Sequence, residues 1–513
     1  MSKPSRFDED SLFEDNMQRN KAMRQKARQQ FKNEERANRR RRIRVFICCI
    51  AAIAIVIIGG WEARRFIPYH TALARVGIGN WQIWEFHDYF NLDPNIASVV
   101  WEDQRLADFA LPPANTAQDI FIPAAFVREH IDPFMFWDQS AGMLFISTDY
   151  AVTPLEPREG NPVILQEGQP LVSFAWLQER YPGFYMAHHA AFNTVVFANP
   201  QERTGRTAEA TRRLPIRYRP DHSAYITIQV PSGAVLTTFY ETGSYIRVRT
   251  QEGLLGYALT SHIRFTEGPP EPTPPPPSQP SPNINLTWEM ITIQAANYHA
   301  MTNPLPSGLH VVSPTWFNFD PYALDGTIIP LASHEYVAWA HEQGVAVWPK
   351  IFDTNRDISH AVLTNYQARR RAIAQLIDFV EIYDLDGINV NFEHIRQTDG
   401  GYYVQFLREL APEMRRIGAV LSVATFVPAP WFSQYHHDLV GQTVDFVAIM
   451  TYDEHYSGSP EPGPVASLPF VERSIQNAMA LIPREKILMG LPFYNRLWRV
   501  DADGIHTISN HGM

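Results

Sequence analysis

The run DGINVNFE, from Asp386 to Glu393, alternates small or polar residues with apolar ones. In a strand, successive side chains point to opposite faces. Ile388, Val390 and Phe392 then pack one way, and Gly387, Asn389, Asn391 and Glu393 point the other. A carboxyl group ending such a strand can give or take a proton, and the carboxamides below it can hydrogen-bond a polar ligand. The same residues could form a buried hydrogen-bond network with no chemistry, but an acid is costly to place at such a strand end without a use. Metal chemistry is not expected. Both cysteines, Cys48 and Cys49, lie in one apolar run, and the pairs His188-His189 and His436-His437 lack partners at ligand spacing. No cofactor is implied.

A repeating frame is needed to hold that strand. Strand patterns fall at Met290–Ile293, Gly308–Ser313, Ala346–Ile351, Gly387–Phe392, Ala419–Thr425, Phe446–Met450 and Lys486–Gly490. Helical patterns separate most of them, for example Asn365–Ile382 and Gly401–Ile417. Short strands alternating with helices predict a parallel (β/α)8 TIM barrel over residues 284–513, incomplete because the pattern stops after strand seven. An open doubly wound sheet could also use seven strands. In a barrel, Glu393 stands at the C-terminal end of the fourth strand, where such folds place their active sites.

On these residues the chain resembles glycoside hydrolase family 18, and within it the spore-germination, peptidoglycan-directed branch. The family's strand-four signature is D-G-x-D-x-D-x-E, matched by Asp386, Gly387 and Glu393. Further matches are MTYDEH from Met450 to His455, GPVASL from Gly463 to Leu468 and MGLPFY from Met489 to Tyr494. The resemblance implies Glu393 as general acid, with the substrate's own 2-acetamido oxygen as nucleophile. It implies that Tyr452 and Asp453 hold that acetamido group, while Asp386, Asn389 and Met450 line the sugar pocket. Trp316, Trp348 and Trp498 lie near strand ends and are candidates for stacking on sugar faces, although tryptophans in such places are more often core. The signature's two inner aspartates are Asn389 and Asn391 here. An amide at Asn391 keeps a hydrogen bond but loses the charge, which slows the step roughly ten- to hundredfold or more on a loss of ~1.5–3 kcal/mol.

Elsewhere the chain reads as modules. Residues 1–44 carry 14 Lys/Arg against 7 Asp/Glu, leaving 30 against 47 in the remainder. A body so acidic argues against a nucleic-acid partner. Residues 45–61 hold no charge and follow Arg39 to Arg42, which predicts one N-terminal transmembrane helix with a basic cytoplasmic tail and everything after it outside. A cleaved signal peptide is the competing reading. Residues 67–200 read as a small α/β domain that resembles, over Asp93 to Asn199, the stalk-like repeat of bacterial wall proteins also found near copper amine oxidase N-termini; this implies a spacer or binding role. Residues 214–266 resemble bacterial SH3-like domains, with YIRVRT from Tyr245, a Glu252-Gly253 turn and a closing GYAL from Gly256. Residues 268–282 hold nine prolines and form a semi-rigid linker of about 45 Å.

These features converge on a single-pass cell-membrane protein with extracellular C-terminal domains, acting on peptidoglycan or another N-acetylglucosamine polymer. A glycan-binding protein that keeps the pocket and not the turnover is the alternative. A chitin-scavenging enzyme and a purely structural wall protein are the remaining readings.

Overall fold

The computed structural model describes Phe90 and residues 98–106, 120–189, 194–198, 206–266, 283–501 and 504–512, apart from 103, 223, 225, 252 and 354. The expected cytoplasmic tail, transmembrane helix and proline-rich linker lie outside these residues. The expected fold class is corrected at the anchor: among the described residues, no helix is long and apolar enough to cross a membrane.

The chain forms two compact units. One holds residues 201–270, where seven antiparallel strands form a single sheet. Its core gathers Ala208, Leu214, Ile216, Leu236, Ile246, Val248 and Ala258. The sheet begins at Arg206–Ala210, eight residues before the boundary at 214 read from the sequence. That first strand pairs with both Val235–Thr242 and Ile263–Phe265. Gly256 has no room for a side chain, since an added Cβ would come within 2.8 Å of the Arg217 carbonyl.

The other unit holds residues 94–101, 105–200 and 271–513. Its larger part is a parallel sheet that runs in chain order through seven strands. The first is Leu286–Glu289, and the second is Val311–Pro314 with a continuation at Phe317–Phe319. The third is Ala346–Val347 with Lys350–Phe352. The fourth to seventh are Gly387–Asn391, Val420–Phe426, Phe446–Met450 and Ile487–Gly490. Each pairs in parallel with the next. The sheet curls. Trp288 on the first strand reaches Asn389 on the fourth, and its ring lies where a Cβ on Gly490 of the seventh would meet it at 3.0 Å. Ile328–Pro330 adds antiparallel to Phe317–Phe319, and among the described residues no strand bridges the first and the seventh.

The first strand lies four residues earlier than the expected Met290–Ile293. Met290 and Ile293 are apolar, but they leave the sheet and stand 80% and 60% exposed. The fourth strand follows its pattern. Ile388, Val390 and Phe392 join the core shared with the outer helices, among them Tyr366–Tyr383 and Gly400–Arg416. Asn365 caps the first of these helices by accepting from the backbone of Gln367 and Ala368.

Residues 120–189 form short sheets and two helices, and they pack on this helical layer of the barrel. Arg369, fully buried on helix Tyr366–Tyr383, donates to Asp138 at 2.5 Å and to Glu409 at 2.9 Å. Phe136 meets Tyr402 edge to face, and the Arg408 guanidinium lies 4.0 Å from the Phe134 ring centre. The segment read as a stalk is thus joined to the barrel by a buried, charge-paired contact.

Candidate active site

The fourth strand ends at Asn391, and the chain then turns outward through Glu393. That turn is held by a carboxylate from the neighbouring strand. Asp353, buried just beyond the third strand, accepts from the backbone N–H of Glu393 and of His394, each at 2.8 Å. It also accepts from the Ser359 hydroxyl and lies 3.0 Å from His394 Nδ1. Four contacts on one buried carboxylate fix where the Glu393 side chain leaves the barrel. The Glu393 carboxyl is exposed at the mouth and free to meet a ligand.

Below it, the inward residues form layers that follow from the register. Phe352 pairs with Asn391, and Ala424 with Ala448. Asn391 is buried, and its amide points at the Ala424 carbonyl at 3.4 Å. One layer down, Asn389 donates to Ser422 Oγ at 2.8 Å and accepts from Trp288 Nε1 at 3.1 Å. Both amide ends of Asn389 are used within the protein, so it braces the floor. At the base, Trp348 stacks on Phe446 with ring centres 5.7 Å apart. Gly387 is required there, because a Cβ would strike the Trp348 ring at 2.9 Å and the Val420 carbonyl at 2.6 Å.

Tyr452 enters from beyond the sixth strand, half-buried, with its ring edge-on to Trp288 and to Tyr494. Burial, and then the charge of Glu393, push its phenol well above the usual range, so it stays a donor. Met450 is buried on the same inward face. Asp453, at φ 60°, turns away from that face. It accepts from the Tyr494 hydroxyl at 2.5 Å and pairs with Arg496 at 2.8 Å. Arg496 also donates to the His455 carbonyl at 2.8 Å. Asp453 therefore ties the hairpin Tyr494–Asp501 and Gly504–Gly512 beside Tyr452.

Of the remaining candidates, Asp386, Trp316 and Trp348 sit apart from the mouth. Asp386 lies at the opposite end of the fourth strand, where it accepts from the Val347 backbone at 2.7 Å and contacts His341 at 2.9 Å. It pins the third strand to the fourth. Trp316 is fully buried, donating to Asn297 Oδ1 at 2.8 Å and packed against Tyr336, so neither face can meet a sugar. Trp348 is equally enclosed in the barrel base. Trp498 is half-buried on the hairpin and donates to the Gly463 carbonyl at 2.9 Å.

Several residues at the mouth escaped the sequence reading. Trp288 lay outside the strand expected at Met290. Asp353 carries no local motif, because the turn it holds, at Glu393 and His394, is some forty residues away. Trp431, 70% exposed, stands on the loop after the fifth strand, and its carbonyl accepts from Gln397 of the loop after the fourth. Among the described residues no group of histidine, cysteine or acidic side chains has the geometry to hold a metal ion.

Comparison with known proteins agrees with this arrangement. Residues 338–512 match the family described as glycosyl hydrolases family 18. The chain is 35% identical over 148 residues to YdhD of Bacillus subtilis, whose name describes a sporulation-specific glycosylase, covering 28% of this chain and 34% of that protein. It is 30% identical over 148 residues to the cortical fragment-lytic enzyme of the same organism, with the same coverage. The chain thus spans about a third of the length of these relatives. The Bacillus cereus spore cortex-lytic enzyme SleL superposes with a TM-score of 0.39 at 20% identity, covering 46% of this chain and 57% of that one. Residues 338–512, which hold the fourth to seventh strands of the sheet and Glu393 at the end of the fourth, are thus similar in sequence to glycoside hydrolase family 18.

Proposed function

We propose that this protein hydrolyses an N-acetylglucosamine-containing glycan of the bacterial wall, with retention of configuration and without a cofactor. The observation that carries the reading is the placement of Glu393 at the mouth, over Asn391 and electrostatically coupled to Tyr452. In this scheme the Glu393 carboxyl gives its proton to the glycosidic oxygen as the bond to C1 breaks. The carbonyl oxygen of the sugar's acetamido group attacks C1 and forms an oxazolinium ion. Tyr452 donates to that oxygen, and Asn391 accepts from the acetamido N–H. Glu393, now ionised, takes a proton from water as the water opens the ring. Wall glycan is favoured over chitin by the names of the relatives, which point to sporulation and to cortex. Such a substrate places the work outside the cytoplasm.

The test is release of reducing ends from purified peptidoglycan, and from chitin oligomers, by the full chain and by Glu393→Gln. Release that the substitution abolishes supports the hydrolase. Equal release by both proteins would sink it. A second reading, binding without turnover, is favoured by one observation, the amide at Asn391 where the family carries an acid. It predicts saturable glycan binding with no reducing ends released, and recovery of turnover in Asn391→Asp.

A further inference from the structure

Among the described residues, Lys350 is a charged side chain on the inward face that this reaction leaves without a task. Lys350 pairs in parallel register with Asn389, which faces inward to Trp288 and Ser422. Its neighbour Ile351 is buried in the outer core, so the alternation sends Lys350 and Phe352 into the barrel. The ammonium lies 5.7 Å from the Phe352 ring centre. Among the described residues it donates no hydrogen bond to the protein. An ammonium has three donors, and a half-buried one calls for acceptors. Burial lowers its affinity for a proton, and the Glu393 carboxylate opposes that shift.

Its surroundings sharpen the point. Asn389, Asn391, Ser422, Ala424, Ala448 and Met450 line the interior without charge. The two positions that hold acids in the family signature are amides, so Glu393 is the negative charge coupled to Lys350. The proposed intermediate is itself a cation. Glu393, ionised at that stage, is one carboxylate facing two cations, so an anion that arrives with the substrate stabilises the pair further. A neutral chitin chain brings nothing of the kind.

We propose that Lys350 receives a carboxylate borne on a side arm of the substrate sugar, making this pocket selective for an acidic amino sugar over neutral chitin. The inference rests on the glycan pocket assigned above, but not on turnover. In N-acetylmuramic acid chains the carboxylate belongs either to the sugar's own ether-linked arm or to the first amino acid attached there.

Binding to the full chain, read by tryptophan fluorescence, separates these cases. Three thio-linked tetrasaccharides that resist hydrolysis serve as probes: the N-acetylglucosamine homopolymer, the alternating N-acetylmuramic acid chain, and that chain bearing L-alanine on its carboxyl. Wild type is expected to prefer at least one acidic probe over the neutral one by about tenfold or more. Lys350→Met should bring that ratio close to one, Lys350→Arg should keep it, and added salt should lower it. Whichever acidic probe binds more tightly identifies the source of the carboxylate. Absence of preference in wild type, or a preference that survives Lys350→Met, overturns the inference and leaves the hydrolase reading intact. Failure of wild type to bind any of the three overturns both. Loss of turnover alone, in the reducing-end assay, touches only the hydrolase reading.

Discussion

In the proposed reaction Glu393 and Asn391 divide the chemistry between them, and the two substitutions that test them should move the rate in opposite directions. Glu393→Gln removes the proton donor and should lower kcat on wall glycan by about 10²-fold or more. Asn391→Asp restores a charge beside the cationic intermediate and should raise kcat about ten- to hundredfold. Asp353 belongs to the same chemistry through Glu393, as a positioning residue. Its carboxylate holds two consecutive backbone N–H groups, so Asp353→Ala should lower kcat about tenfold or more with a smaller change in KM. Asp353→Asn, which keeps one acceptor oxygen, should recover part of that loss, and a purely structural role would show no such split. The positions of Glu393, Asn391 and Tyr452 on and beyond the strand ends were legible from the sequence because strand alternation and a compact motif carry them. Asp353 and Lys350 were not, because their meaning comes from pairing with a strand some forty residues away.

At the scale of elements, the register between strands decides which sequence expectations hold. The sixth strand, Phe446–Met450, lies where its pattern put it, and the fourth and fifth agree within a residue at each end. Those segments alternate cleanly because one face packs on helices and the other faces the barrel interior. Trp316 and Trp348 show the limit of such reading: an aromatic near a strand end can fill the core as readily as a sugar site. The contact between residues 120–189 and the barrel was not legible at all, since nothing local marks Arg369 as the partner of an aspartate 231 positions away. That contact makes a strong prediction. Asp138 also accepts from the backbone of Ser140 and Ala141, closing its own turn. Asp138→Ala should leave the buried Arg369 half-paired and cost about 3–5 kcal/mol, measured by urea unfolding of the full chain. A loss under about 1 kcal/mol would mean that water or Glu409 alone satisfies the guanidinium.

For the whole molecule, the boundary of the unit around residues 201–270 matters more than its kinship. The sequence pattern starts this domain at 214, because turn-rich residues precede that point and the aromatic and β-branched runs follow it. The structure starts it at Arg206. The strand Arg206–Ala210 buries Ala208 and Ala210 and lies between Val235–Thr242 and Ile263–Phe265, so it is the neighbour through which the closing strand joins the sheet. Two further bonds lock it, from Gly233 N to the Ala210 carbonyl at 2.7 Å and from Thr266 N to the Thr207 carbonyl at 2.9 Å. A fragment of residues 204–267 should therefore melt cooperatively and give a dispersed amide spectrum. A fragment of residues 214–267 loses the strand, both bonds and the partner of Ile263–Phe265, and exposes a sheet edge. It should melt at a markedly lower temperature or fail to fold. Equal melting of the two fragments would mean that the five strands between Leu214 and Leu259 hold the core without the strand that closes it.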